Sequence, residues 1–277
     1  MQPLTGLGPE SRKRLAEILR RTQGTVAVSQ AAEILGVPAD TAAKMLARWA
    51  RQGWMSRVRQ GLYVPVPLEA RTADVALEDP WAIAEQLYPP CYIGGWTAAE
   101  YWGLTEQIFR TVVVMTTRKP RNRRPKFKGT DFLLRTISAS ALFGTKAVWR
   151  GQVKINVADP TRTILDMLDD PALGGGIRPA VDVFRAYVGS DKKDTKLLLQ
   201  YADRLGNGAV FKRLGFIAER YAPNEQELIE ACRARLTKGN AKLDSSLPSD
   251  KLVSAWRLWV PTNWAKEKPS DRSTGGR

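Results

Sequence analysis

Leu35-Gly36-Val37-Pro38 is the stretch on which the reading of this chain turns. Glycine enters the left-handed backbone region without the clash a Cβ would bring, so Gly36 predicts a sharp turn; Val37 can plug a core, and Pro38 suits the mouth of a following helix. Upstream, Gln30 to Leu35 puts Ala31, Ile34 and Leu35 on one side of a two-turn helix. Ser29 offers the cap, and it caps alone because Glu33 falls one position late for a reciprocal box. Downstream, Ala39 to Gln52 carries Ala42, Met45, Leu46 and Trp49 as an apolar stripe, while Thr41, Lys44, Arg48 and Arg51 share a different arc. Two helices around a tight turn, the second packed on one face and basic on the other, make a helix-turn-helix.

The flanks extend this unit. Leu15, Ile18, Leu19 and Thr22 recur at helical spacing after Gly8-Pro9, which predicts a first helix from Glu10 to Arg21, and Thr25 to Val28 is one short strand. Beyond Gly53, Trp54 to Val58 and Leu62 to Val64 read as strands around Arg59-Gln60-Gly61. This is a hairpin wing. Residues 1–70 hold ten Lys/Arg and five Asp/Glu. A winged helix-turn-helix over residues 1–66 is therefore expected to bind duplex DNA. Thr41, Lys44, Arg48 and Arg51 would enter the major groove, Arg57, Arg59 and Gln60 would meet flanking phosphates or the minor groove, and Ser29 completes the set. The plainer alternative is a small module whose basic faces serve solubility or protein contacts.

With 277 residues the chain exceeds the usual size of one core, so a second domain is expected over 79–260, after a proline-marked linker from Pro65 to Asp79 and before a disordered tail at 261–277. Pro80 to Leu87 predicts a helix, as does the stretch from Gly94 to Leu104, with Thr97 as its cap. The latter lacks the lysine and glycine spacing of a phosphate cradle, so its aromatics read as packing residues. Thr111 to Thr117 is a strand, and Thr130 to Ile137 is its expected hairpin partner. Between them, Arg118, Lys119, Arg121, Arg123, Arg124, Lys126 and Lys128 crowd one loop without an acid. Seven like charges repel unless an anion is near, so this loop is a candidate site for nucleic acid or an acidic partner protein, with Phe127 available to stack; solvated charge is the alternative.

Ala147 to Trp149 and Val153 to Val157 predict further strands. Asp159 caps a helix with Pro160 in its first position and Ile164, Leu165 and Leu168 inward. Arg162, Asp166 and Asp169 then read as an outward salt-bridge row. After Gly174-Gly175-Gly176 the chain reads as mainly helical. The fold class is α+β: a winged helix-turn-helix, then a larger mixed α/β domain with a helical C-terminal part.

Composition narrows the chemistry. The net charge of +15 fits a protein that meets a polyanion. There is no histidine, which removes the commonest general base and metal ligand, and Cys91 and Cys232 have no metal-ligand or disulfide spacing. No catalytic residue, metal or cofactor is expected. No apolar run is long enough for a membrane span and the N-terminus lacks a secretory apolar region, so a cytoplasmic location is expected.

Ser29 to Tyr63, the Gly95-Trp96-Thr97-Ala98-Ala99 segment with Tyr101-Trp102-Gly103-Leu104, and Val157-Ala158-Asp159-Pro160-Thr161-Arg162-Thr163 together resemble the AbiEi family, the antitoxins of type IV toxin-antitoxin (abortive-infection) systems, over roughly residues 10–220 in layout. The resemblance implies a repressor of its own operon that binds inverted repeats and a C-terminal domain that counters a nucleotidyltransferase-like toxin, with a role in phage defence. It also implies recognition-helix contacts by Thr41, Lys44 and Arg48 and wing contacts by Arg57, Arg59 and Gln60. It leaves open whether the toxin is touched directly. Two other classes stand beside it. One is a metal-dependent nuclease or nucleotidyltransferase, for which Asp191-Lys192-Lys193 supplies a D-x-K element but no carboxylate pair; the other is an RNA-binding factor, which the charge permits.

Overall fold

The computed structural model describes residues 6–22, 24–66, 79–150 and 153–266. Its elements run α1 (Pro9–Arg21), β1 (Val26–Ala27), α2 (Val28–Leu35), α3 (Ala39–Arg51), β2 (Met55–Arg59), β3 (Leu62–Pro65), α4 (Pro80–Leu87), β4 (Cys91–Ile93), α5 (Gly95–Tyr101), β5 (Thr111–Thr116), β6 (Lys126–Phe127) and β7 (Thr130–Thr136). They continue with β8 (Thr145–Arg150), β9 (Val153–Ala158), α6 (Pro160–Asp169), α7 (Ile177–Val188), α8 (Thr195–Leu205), α9 (Gly208–Tyr221), α10 (Gln226–Ala234), β10 (Ala241–Lys242), β11 (Lys251–Val253), β12 (Leu258–Val260) and α11 (Thr262–Lys266). The class is mixed α+β, as expected. Two compact units emerge: residues 1–91, 110–136 and 147–155 in the first, and residues 92–109, 137–146 and 156–277 in the second. Residues 67–78 of the expected linker and 267–277 of the expected tail lie outside the described residues.

The first unit opens with the winged helix. Ile18, Val26, Ala31, Ala42, Leu46, Trp49 and Met55 are wholly buried in one cluster contributed by α1, β1, α2, α3 and β2. The small sheet has the order β1-β3-β2, antiparallel throughout, with Val26 opposite Tyr63 and an irregularity between Arg57 and Arg59. Ser29 does not cap α2; the helix already begins at Val28, whose N–H donates to Gly61 O at 3.0 Å. The wing turn supplies that acceptor, so the helix can start earlier, and Gln30 Oε1 accepts from Ala27 N–H at 3.0 Å to satisfy the preceding amide.

Farther along the same unit, β5 and β7 pair in parallel from Thr111 opposite Asp131 to Thr116 opposite Thr136, not as the expected hairpin. The antiparallel neighbour of β7 is β6, joined to it by Lys128 and Gly129 with φ of 48° and 80°. Positive φ at both central residues is the signature of a two-residue type I′ turn, whose twist matches that of the strands. The intervening loop therefore returns the chain to the starting end of β5. Val112 to Thr116 are all buried, as befits a strand covered on both faces.

In the second unit α6 is the central element. Its residues from Pro160 to Leu168 are all buried, and Asp159 Oδ1 accepts from Arg162 N–H at 2.7 Å as the expected cap. The outward salt-bridge row is overturned by the same burial. Arg162 and Asp166 are each 1% exposed, and Arg162 Nε donates to Asp166 Oδ1 at 2.8 Å. Tyr92 OH donates to the same oxygen at 3.0 Å and accepts from Arg162 Nη2 at 2.8 Å, while the guanidinium carbon lies 4.3 Å from the ring centre of Phe143. Asp169 sits at the helix end and accepts from Asn207 Nδ2 at 2.7 Å. Thr97, expected as a cap, is buried inside α5, which starts at Gly95. Gly95 has φ +53°, and a Cβ there would lie 2.3 Å from Leu173 O, so no side chain fits. Order extends past Val260: Trp264 on α11 is 2% exposed and meets the ring of Tyr221 edge-on at 6.3 Å, which removes the first residues of the expected disordered tail.

Burial pushes the Asp166 carboxyl up, against the opposing charge and hydrogen bond of Arg162 and the hydroxyl of Tyr92. Arg162→Met leaves that carboxylate buried and unpaired, which is expected to lower stability by about 3–5 kcal/mol in a denaturant titration. A surface pair would move it by less than about 1 kcal/mol. Because the folded-state pKa of Asp166 lies above its unfolded value, the variant keeps its stability at pH below the ordinary carboxylate range and loses it as pH rises.

Candidate nucleic-acid interface

Gly36 sets the angle between α2 and α3. Its φ of 62° and ψ of 36° close α2 in the left-handed conformation, with Gly36 N–H donating to Glu33 O and Val37 N–H reaching back to Ala32 O at 3.0 Å. That pair of bonds is the Schellman closure of a helix. Pro38 O then accepts from Ala42 N–H at 3.0 Å and opens α3.

On α3, Ala42, Leu46 and Trp49 are buried, whereas Thr41, Lys44, Arg48 and Arg51 are exposed. At 3.6 residues per turn those four span an arc of about 80° opposite the buried stripe. The predicted face therefore exists as a face. Its members are not equivalent: Arg48 Nη2 donates to Ser11 Oγ at 2.8 Å, which leans that guanidinium toward α1. Ser11 carried no signal in the sequence, because a single hydroxyl on a helix has no periodicity of its own. Asp40, exposed in the first turn of α3, is the second omission; a carboxylate there is favoured by the helix dipole and can accept from a base amino group.

The wing carries Arg57, Arg59 and Gln60, all exposed. Arg57 Nε donates to Arg59 O at 3.4 Å, along the wing backbone. Ser29, also exposed, follows directly on the residue bonded to Gly61, so it sits beside the wing turn and not at a helix cap. Groove-facing candidates thus come from two adjoining surfaces, the outer arc of α3 and the hairpin with the start of α2.

Residues 13–66 match a protein family described as "Transcriptional regulator, AbiEi antitoxin". This segment is an AbiEi regulator domain. The match spans the second part of α1, the Gly36 turn, α3 and the wing. No curated protein matches the chain.

The basic loop belongs to the first unit. Arg118, Lys119, Arg121, Arg123, Arg124 and Lys126 are exposed and Lys128 is half-buried. Pro125 O accepts from Phe132 N–H at 2.9 Å and Arg123 O from Leu134 N–H at 2.8 Å, so the loop runs alongside β7. Phe127, expected to be available for stacking, is half-buried and packs edge-on against Phe132 at 5.9 Å.

The D-x-K element of the second unit forms no such surface. Lys192 Nζ donates to Asp191 Oδ1 at 3.3 Å and Lys193 Nζ to Glu225 Oε1 at 2.6 Å. The adjoining cleft, of about 380 Å³, sets Lys146, Lys192 and Lys193 against Asp159, Asp191 and Asp194. Both Asp159 and Asp194 already cap helices. Among the described residues no group of His, Cys, Asp and Glu is placed to hold a metal ion, and no helix is long and apolar enough to cross a membrane.

Gly36→Ala tests the turn. A Cβ there meets no neighbour, so the cost is conformational, about 1–2 kcal/mol for a left-handed non-glycine residue. A denaturant titration should show that loss, and specific DNA binding should weaken with the altered angle between α2 and α3.

Proposed function

We propose that this chain is a DNA-binding autorepressor and antitoxin of a type IV toxin-antitoxin system, acting in the cytoplasm and without catalysis of its own. The observation that carries the reading is the exposed arc of Thr41, Lys44 and Arg51 on a helix fixed by its buried opposite face, within the segment that matches the AbiEi regulators. A helix so held enters the major groove at a set angle, while the wing arginines meet the flanking backbone. The DNA partner is duplex carrying inverted repeats ahead of its own operon. The countering of a nucleotidyltransferase-like toxin encoded alongside falls to residues 79–260, which are shared between the two compact units.

A gel shift on the DNA preceding its own coding sequence, with mixed-sequence duplex as competitor, tests the repressor. A shift that survives competition is expected. Lys44→Glu and Arg57→Glu should each weaken it by about 1–3 kcal/mol, roughly five- to over a hundredfold, with unchanged thermal unfolding. They are cleaner probes than Arg48, whose side chain also holds Ser11. Wild-type affinity in both variants would sink the assignment of this face. For the antitoxin half, co-expression with the adjacent gene should restore growth that the adjacent gene alone arrests; absence of rescue removes that half and leaves the repressor standing.

A further inference from the structure

One acid stands among the cations of α3. Asp40 is the sole carboxylate in the thirteen residues of the helix, and it is exposed. At 3.6 residues per turn it falls beside Arg51 on the arc of Lys44, Arg48 and Thr41, which it widens to about 100°. A carboxylate four residues before a cation ordinarily closes into an ion pair, and α1 shows this twice: Arg14 Nε lies 2.9 Å from Glu10 Oε1, and Arg21 Nη2 lies 3.3 Å from Glu17 Oε1. Asp40 and Lys44 have the same spacing and the same order. Yet among the described residues neither side chain takes part in an ion pair or a hydrogen bond. Opposite charges are thus both left open on one face.

The sign of its charge limits what Asp40 can meet on duplex DNA. Phosphate oxygens repel a carboxylate, so the backbone contacts that suit Lys44 and Arg51 are closed to it. In the major groove the hydrogens it can accept belong to the amino groups of cytosine and adenine. Adenine's amino group lies between two acceptors, its own N7 and thymine O4, and an ionised carboxylate has no hydrogen to give either. Cytosine's amino group has an acceptor on one side only, guanine O6. The first residues of a groove-entering helix are those that reach base edges, and Asp40 lies in the first turn of α3. A carboxylate so placed favours cytosine and opposes the other three bases.

We propose that Asp40 is a specificity-determining residue, which accepts a hydrogen bond from the N4 amino group of one cytosine in each half-site. The inference rests on the DNA-binding reading above and names a base which that reading leaves open. Cations on the same arc add affinity for any duplex, whereas Asp40 lowers it wherever the cytosine is missing. Discrimination then comes from repulsion of the wrong sites as much as from attraction to the right one.

The test takes the full chain, D40A and D40N through repeated gel-shift selection from duplexes with a randomised segment, followed by sequencing of the bound fraction. Affinities are then measured on the selected duplex and on a mixed-sequence duplex of equal length. Asp40 is exposed and unbonded, so neither variant should shift thermal unfolding. Wild type should select a cytosine at one position of each half-site, and replacing that base pair should weaken its binding by about five- to over a hundredfold. D40A should lose the preference at that position alone and should bind mixed-sequence duplex more tightly than wild type, because a repelling charge is gone. D40N, whose amide both donates and accepts, should turn the preference to adenine. Unchanged base preference in both variants overturns the inference and leaves DNA binding by the winged helix standing. Weaker binding of D40A to every duplex alike makes Asp40 a stabiliser of α3 and overturns it as well. A wild-type chain that selects no sequence overturns the repressor reading and the inference together.

Discussion

The basic face of α3 exists because its other side is immobile. Trp49 and Leu46 have no exposed surface, and between them they fix the rotation of a thirteen-residue helix about its own axis. Four polar and cationic side chains are then aligned outward without holding one another in place. That division matters because long cationic side chains have little order of their own, so the precision with which this face is presented must come from the backbone that carries it. Gly36 at one end and the Gly53 turn at the other deliver this helix to the rest of the winged unit, and the wing turn in turn accepts the first amide of α2. A chain of local bonds thus links α3, turn and wing.

How much of this could be read from the residues depends on distance along the chain. The winged helix was legible because each of its signals is local: a glycine turn, a 3.6-residue stripe and a glycine-bearing hairpin. Its one misreading, Ser29 as a cap, came from a contact supplied 32 positions later by Gly61. The parallel pairing of β5 and β7 was not legible for the same reason. Two apolar β-rich runs separated by a polar loop look alike whether the second returns antiparallel or, after a small reversal, parallel. The reversal itself left a trace in Lys128-Gly129, but a lysine in the left-handed region is a weaker cue than asparagine.

The misplacement of Arg162 and Asp166 has a different origin. Charged residues four apart on a helix are the usual mark of a solvated face, and here they mark the interior. The buried guanidinium is held through Nε by Asp166, through Nη2 by Tyr92, seventy positions away, and by the face of Phe143, while Nη1 and the second oxygen of Asp166 are buried without a hydrogen-bond partner among the described residues. The cue that was present is the apolar run around them, Ile164, Leu165, Met167 and Leu168, which leaves no side of α6 free for solvent. At the basic loop, charge alone was legible and the fate of Phe127 was not, since its partner Phe132 belongs to the strand beyond the turn.

The two units are interleaved along the chain, each assembled from three separate stretches. This has a consequence for synthesis. The winged helix closes its own core once residue 66 has been made, whereas the first unit as a whole waits for residues 147–155. At translation speeds of about 5–20 residues per second, the interval from residue 91 to residue 155 is roughly 3–13 s. During that time the nascent chain carries a finished winged helix ahead of an apolar strand, β5, whose unit is still incomplete. The order in which the gene delivers its parts therefore makes the winged helix the first piece to mature.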